Sequence, residues 1–178
     1  MRSEILPESR IWYRIAEADW IDPLDPSYAA VVGGRWNPPG SHPTLYLNED
    51  RITARLNLRA FIEGWPYDPE DLADQTGPVL VHATLPTRQR VADAHSRRGV
   101  AATGLPPTYP LDTDGSLVEH SVCQPIGVEA KRAGLRGVRA RSARTPEGGV
   151  RELAWFPATR GSHARARVVQ TFEEWYWG

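Results

Sequence analysis

Hydrophobic and polar residues alternate in short runs along this chain, which predicts strands more often than helices. Runs of bulky aliphatic and aromatic residues bounded by turn residues occur at 10–15, 43–47, 79–85, 137–140, 152–156 and 165–172. Such runs are typical of strands. Because they are mixed irregularly with few helical segments, the pattern favours an α+β fold over alternating βαβ units.

The clearest helical pattern lies at residues 48–66. Asn48 or Asp50 can cap its start, and Gly64 with Pro66 can end it. We therefore expect an amphipathic helix, and its predicted apolar face consists of Ile52, Leu56, Ala60 and Phe61.

The other segments are less regular. Residues 119–133 predict a helix that is started or broken at Pro125 and stopped by Gly134. Residues 86–118 are polar and rich in proline, so we expect a short helix near 88–95 and then a long loop. Irregular structure is expected over 16–32 and a turn over 145–149.

Length and composition fit a single domain over residues 1–178 with one sizeable core. The chain has 178 residues, a formal net charge of -1 and 40% hydrophobic residues. It has no apolar run long enough to cross a bilayer, and its N-terminus lacks the apolar core of a signal peptide. We therefore expect a soluble, cytoplasmic protein without a membrane partner.

Several chemistries have no signature in this sequence. A single cysteine excludes an internal disulfide and a Cys-based zinc site, and the five histidines are too scattered to suggest a metal site. Glycine-rich nucleotide motifs of the GxGxxG and GxxxxGK types and a GxSxG nucleophile motif are missing as well. We expect no metal cofactor.

Basic residues cluster in one part of the chain. Residues 131–167 hold ten basic residues and two acidic ones, a net charge of +8, and 20 of the 21 basic residues of the chain are arginine. Codon bias in a GC-rich genome is the simpler interpretation of the preference for arginine over lysine, and bidentate binding of carboxylates or phosphates by arginine is the alternative. The clustering suggests an anionic partner, so a nucleic-acid-binding module is one hypothesis, although the neutral total charge and the lack of a groove-reading motif disfavour it.

The segment GGRWNPPG, residues 33–40, is the most informative stretch. Its glycines allow a tight turn or the close approach of a ligand, and its prolines stiffen the backbone at the end of the segment. Arg35 is therefore held on a restricted backbone, where a guanidinium can clamp a phosphate or diphosphate bidentately. The structural alternative is a turn in which Arg35 forms an internal ion pair.

Three parts of the sequence resemble the RES domain family. Tyr13-Arg14, the GGRWNPP block and Leu45-Tyr46-Leu47 form the first part, and the block is the most specific of these motifs. His120 to Gly127 (HSVCQPIG) resembles the family's Ser-x-x-Gln-x-x-Gly segment, which opens a helix. Residues 137–144 (GVRARSAR) are similar to a family strand that ends in Pro-Ser-Ala-Arg, with Arg141 in place of the proline. The resemblance covers roughly residues 10–160.

This resemblance implies both a fold and an activity. Members are toxins of bacterial toxin–antitoxin pairs, encoded beside an Xre-type helix-turn-helix antitoxin, with which a hetero-oligomer is expected. Their fold is related to ADP-ribosyltransferases, so we expect a split central β-sheet flanked by helices. They consume NAD+ as substrate, by hydrolysis, phosphorolysis or transfer of ADP-ribose to a protein.

The resemblance also implies site residues. Arg14 and Arg35 match two family arginines that hold the diphosphate and ribose side of NAD+, and Tyr46 matches a tyrosine near the nicotinamide. Ser121 or Ser142 matches the active-site serine. Gln124 is the glutamine of the Ser-x-x-Gln motif, and we include it among the residues expected to bind NAD+.

The chain departs from the family at Asn57. The resemblance implies a glutamate about 11 residues after Tyr46, where a carboxylate stabilises the oxocarbenium-like centre that forms when the N-glycosidic bond breaks. Asn57 carries no negative charge. Either another acid, such as Glu119 or Glu152, supplies it, or the protein has lost activity and binds NAD+ or ADP-ribose while acting through a partner, or Asn57 is an introduced change that disarms the toxin.

Other interpretations of these residues stay open on the sequence. Arg14 is also a candidate for a buried ion pair, Tyr46 for the core, and Asn57 for a solvated helix face. Ser121 is a candidate N-cap of the helix that follows it.

Overall fold

One eight-stranded mixed sheet forms the centre of the computed structural model, which describes residues 1–145, 149–157 and 164–178. The strand order is β1-β5-β6-β7-β3-β2-β4-β8, and among these described strands only β5 and β6 pair in parallel. The strands are β1 (Ser3–Ile5), β2 (Trp12–Ala16), β3 (Leu45–Asn48), β4 (Val79–Thr84), β5 (Arg90–Ala94), β6 (Gly137–Arg141), β7 (Arg151–Trp155) and β8 (Arg165–Gln170). The α+β class is confirmed, and every predicted strand corresponds to an observed one.

Within residues 1–145, 149–157 and 164–178, five α-helices and one 3₁₀ turn accompany the sheet. They are α1 (Ser27–Val32), α2 (Arg51–Ile62), the 3₁₀ turn Pro69–Asp71, α3 (Arg97–Thr103), α4 (His120–Arg132) and α5 (Phe172–Tyr176). Helix α2 is capped by Asp50, whose Oδ1 accepts a hydrogen bond from the Thr53 amide at 2.8 Å. The predicted cap is therefore confirmed as Asp50 and not Asn48.

The predicted apolar face of α2 was wrong. Ile52 and Phe61 are 65% and 62% exposed, whereas the buried residues of this helix are Thr53, Ala54, Leu58 and Ile62. Ala54, Leu58 and Ile62 are spaced four apart and pack with α5, so the end of the chain decides which face is covered. The periodicity of α2 alone could not identify that partner.

Other differences from the sequence prediction concern segments without a strong periodicity. The short helix expected near 88–95 was wrong, because Arg90–Ala94 forms β5, which pairs with β1 and β6. Residues 16–32 were expected to be irregular but contain α1. Helix α4 begins at His120 and contains Pro125 in its interior. The turn expected at 145–149 lies partly outside the described residues.

Three core clusters cover the two faces of the sheet. On β3 and β7, Tyr46 and Asn48 lie beside Ala154 and Glu152 on the first face, which α4 and α2 cover. On the second face, Leu45 and Leu47 pack with other large apolar side chains, which include Trp12, Leu153 and Trp155. Strands β2 and β3 share one residue pair, Tyr13 with Asn48, so the sheet is only loosely joined there.

Among the helices in the described parts of the chain, none combines the length and the apolarity that crossing a membrane requires.

Candidate active site

A tight loop beside α4 is built around Tyr46. The Tyr46 hydroxyl accepts a hydrogen bond from the Trp36 amide at 2.9 Å and donates one to Asn37 Oδ1 at 2.8 Å. Gly34 lies directly against the ring, since a Cβ at position 34 would be 2.5 Å from the Tyr46 hydroxyl oxygen. Burial raises the pKa of Tyr46, although the amides of the loop and Arg35 oppose this, so the hydroxyl stays protonated at neutral pH.

Helix α4 holds this loop from the other side. Gln124 Nε2 donates to the Gly34 carbonyl at 3.0 Å. Arg35 Nη1 donates to the Val118 carbonyl at 2.6 Å and lies 4.0 Å from Cys123 Sγ. Among the described residues, the guanidinium of Arg35 is therefore anchored at the N-terminal end of α4 to a backbone carbonyl and not to a carboxylate.

A polar network lies on the first face, where β3, β7 and α2 meet. Asn57 Nδ2 donates to Asn48 Oδ1 at 2.6 Å and to Glu152 Oε1 at 3.3 Å, while Asn57 Oδ1 accepts from Arg144 Nε at 3.2 Å. The Ser142 hydroxyl donates to the same Glu152 oxygen at 2.5 Å. A carboxylate thus lies against the side chain of Asn57.

Two titratable groups connect this network with Arg35. Burial raises the pKa of Tyr109, the nearby Cys123 and Glu152 add to that rise, and Arg35 opposes it. Burial lowers the pKa of His120, and the positive charges of Arg35 and Arg144 lower it further against the opposing effect of Glu119. Tyr109 therefore lies close to both Arg35 and Glu152, and His120 lies close to both Arg35 and Arg144.

Arg14 lies apart from this network. On β2, Arg14 is two residues from both Trp12 and Ala16, so it lies on the second face of the sheet with them. Its Nη1 donates to the Tyr46 backbone carbonyl at 3.4 Å. Burial lowers the pKa of Arg14 to about 10 against the effect of Asp25 and Asp22, so it stays charged at neutral pH. Its guanidinium lies 5.7 Å from the centre of the Trp20 ring. Arg14 therefore connects β2 with the backbone of β3, where the two strands share one residue pair.

The two candidate serines have different surroundings. Ser121 is exposed in the first turn of α4, where Glu119 and not Ser121 occupies the N-cap, so the N-cap interpretation was wrong. Ser142 is fully buried, and its hydroxyl reaches the carboxylate of the network. Within the described residues, no group of three or more His, Cys, Asp or Glu side chains is placed to hold a metal ion.

Comparison with known proteins identifies the family. The model of the RES domain matches residues 11–177. The chain belongs to the RES domain family. No curated protein sequence matches it. A crystal structure of the M. tuberculosis MbcT-MbcA toxin-antitoxin complex contains a chain of similar fold, with a TM-score of 0.73 and 23% identity over 95% of this chain and 90% of that chain.

Membership of the RES family confirms the resemblance. The structure brings Arg35, Tyr46 and Gln124 together around the Gly34 loop. It places Asn57 and Ser142 in the second half of the site, through their shared contact with Glu152.

Sequence reasoning missed Asn48 as a site residue and offered Glu152 only as one of two alternative acids, whereas Arg144 lies within the GVRARSAR segment that carries part of the resemblance. Asn48 and Glu152 are directly paired across β3 and β7. No spacing along the chain signals this pairing, because it depends on the register of two strands that lie far apart in sequence.

Proposed function

We propose that this RES domain cleaves the bond between nicotinamide and ribose in NAD+, and that it acts as the toxin of a toxin–antitoxin pair. The observation that carries the proposal is a paired arrangement in one site. An anchored arginine, Arg35, lies at one end, and a carboxylate held by Ser142 and Asn57 lies at the other. The anionic diphosphate of NAD+ requires the positive charge, and the cationic centre that forms during cleavage requires the negative charge.

In the proposed step, the bond from ribose C1′ to the nicotinamide nitrogen breaks, and both electrons leave with the nicotinamide, which becomes neutral. The positive charge passes to C1′ and the ring oxygen, as in glycoside cleavage. Water then bonds to C1′ through its oxygen and loses a proton, which gives ADP-ribose. Phosphate or a protein side chain takes the place of water in the phosphorolysis and transfer alternatives.

The site residues have separate roles in this proposal. Arg35 binds the diphosphate and ribose side with charge-assisted hydrogen bonds. Arg14 lies apart from Arg35, and its proposed role is to hold the backbone of Tyr46 through its hydrogen bond to the Tyr46 carbonyl. The ring of Tyr46 packs near the nicotinamide, and its hydroxyl keeps the Gly34 loop in place. Gln124 and Ser121 are proposed to position the ribose, with Gln124 acting partly through its hydrogen bond to the loop. Ser142 is buried and donates to Glu152, so its proposed role is to hold that carboxylate.

We further propose a cytoplasmic location and an antitoxin of the Xre type that covers this site. The toxin–antitoxin complex of the similar fold supports an antitoxin partner. The nucleic-acid hypothesis loses support, because two arginines of the basic segment are engaged internally. Arg139 is buried against Glu4 and Glu49, and Arg141 donates to the carbonyls of His95, Pro107 and Tyr109.

Purified protein incubated with NAD+, with and without phosphate, tests the proposal through nicotinamide release. Arg35→Ala should lower kcat/KM by about 10²-fold or more, because it removes a positioned charge. Arg132→Gln is the matched control, since Arg132 is exposed at the opposite end of α4 and should leave the rate unchanged.

The outcomes separate the candidate functions. Nicotinamide release by the wild type, lost in Arg35→Ala but retained in Arg132→Gln, supports the enzyme. Saturable binding of ADP-ribose without any turnover supports instead the impaired homologue that acts through a partner. Absence of both turnover and binding refutes both functions.

A further inference from the structure

The position expected to carry an acid carries an amide, and an acid lies beside that amide. Asn57 Nδ2 is 3.3 Å from Glu152 Oε1, although the two residues are 95 positions apart in sequence. The orientation of the amide is fixed, because Asn48 Oδ1 accepts from the same nitrogen and Arg144 Nε donates to the oxygen. Asn57 therefore presents an N–H group to a carboxylate.

Glu152 is placed by the sheet and not by a mobile segment. Its backbone pairs with Asn48 in the β3–β7 ladder, and β7 also pairs with β6. Ser142 donates to the same carboxylate oxygen, and the backbone amide of Arg144 donates to the Ser142 hydroxyl at 3.1 Å. Two donors from different segments thus hold one charged oxygen in position.

We infer that Glu152 supplies the negative charge that stabilises the oxocarbenium-like centre, and that Asn57 positions it. This inference rests on the proposed NAD+-cleaving function. The charge lies only one hydrogen bond from the side chain expected to carry it. Glu119, the other acid considered, is exposed at the start of α4 and influences His120, so it lacks the held geometry of Glu152.

The pairing of an amide with an acid has an electrostatic reason. Two carboxylates about 3 Å apart cannot both stay ionised at neutral pH, so one of them would hold a proton. With asparagine at position 57, the pair has a single carboxyl group, that of Glu152, and an N–H donor directed at it. The amide is then a positioning group and not a lost catalytic acid.

The experiment moves the charge across this hydrogen bond. Four proteins are compared with the wild type for nicotinamide release and for ADP-ribose binding by calorimetry: Glu152→Gln, Asn57→Glu, the exchange Asn57→Glu with Glu152→Asn, and the control Glu129→Gln. Glu129 is an exposed acid on α4. Folding is checked for each by circular dichroism and thermal unfolding.

We expect Glu152→Gln to lower kcat by 10²-fold or more and to keep ADP-ribose binding, because the charge acts on the transition state and not on the anionic product. Asn57→Glu should not raise kcat, since it adds a second acid beside Glu152. The exchange should recover at least ten-fold over Glu152→Gln, and Glu129→Gln should match the wild type.

Three results would overturn the inference. The first is a folded Glu152→Gln protein with wild-type kcat, and the second is a gain in kcat from Asn57→Glu alone, which the impaired-homologue hypothesis predicts. A folded exchange variant as slow as Glu152→Gln is the third. A wild type that binds ADP-ribose but releases no nicotinamide refutes the proposed function itself, and the inference with it.

Discussion

The contact between α4 and the Gly34 loop gives the most direct test of how the fold positions the site. Gly127 lies in the middle of α4 and faces the backbone of Trp36. A Cβ at position 127 would be 1.8 Å from the Trp36 carbonyl oxygen and 2.8 Å from its carbonyl carbon. Gly127→Ala must therefore separate the helix from the loop by about 1.2 Å to bring the oxygen contact to 3.0 Å.

A shift of the loop by this distance should lower the free energy of unfolding. Trp36 is only 3% exposed, and the loop is tied to Tyr46 and Gln124 by hydrogen bonds. Overpacking costs roughly 1–3 kcal/mol, and one weakened hydrogen bond adds about 1 kcal/mol. Alanine recovers up to about 1 kcal/mol through its helix propensity. We expect a net loss of about 1–3 kcal/mol in the free energy of unfolding.

Activity should fall further than stability. Arg35 is the neighbour of Trp36, and a displacement of about 1 Å in a positioned group can cost about 10²-fold in rate. Urea unfolding followed by circular dichroism gives the stability, and nicotinamide release gives the rate. A Gly127→Ala protein with wild-type values of both would refute this account of the contact.

Gly104→Ala serves as the matched control. Gly104 has φ +77 at the end of α3, and a Cβ there would meet nothing within 4 Å. Alanine in this left-handed conformation should cost about 1–2 kcal/mol of stability without a change in kcat. Equal losses of activity in the two variants would mean that the rate follows stability and not the position of Arg35.

Three further predictions concern the surroundings of the site. Asp50→Ala should lower the free energy of unfolding by about 1 kcal/mol through loss of the α2 cap, with Asp50→Asn near the wild type in urea unfolding. Cys123 is fully buried, and burial raises the pKa of its thiol against the opposing effect of Arg35. A thiol reagent should therefore label it only at the rate of unfolding, and fast labelling of the folded protein would contradict this. Burial alone would raise the pKa of Glu4, but His95 and Arg139 outweigh it and lower that pKa below its ordinary 4.5. The stabilisation is therefore complete above about pH 4.5 and lost on further acidification, so Glu4→Gln should flatten the acid limb of a stability–pH curve, and an unchanged limb would refute the assignment.

Local patterns predicted the strands and the cap of α2 because those features depend on neighbouring residues. The covered face of α2 was mispredicted, since α5 lies more than 100 residues further along the chain and selects Leu58 and Ile62 over Phe61. Strand β5 was mispredicted for a similar reason. Its Arg90–Ala94 segment carries an acid and an arginine, and only pairing with β1 and β6 makes it a strand.

The residues of the candidate site fall into the same two groups, those that local sequence identifies and those that depend on distant contacts. Arg35, Tyr46 and Gln124 could be identified because a contiguous motif carries each of them. Glu152 could not be distinguished from Glu119, because its role depends on a strand register that joins position 152 to position 48, and on a helix phase that brings Asn57 over both. An amide at a position expected to be acidic indicates a lost function only if no other carboxylate reaches the same place. Here one does, and the exchange of Asn57 and Glu152 tests whether the site depends on the residue at position 57 or on the charge held next to it.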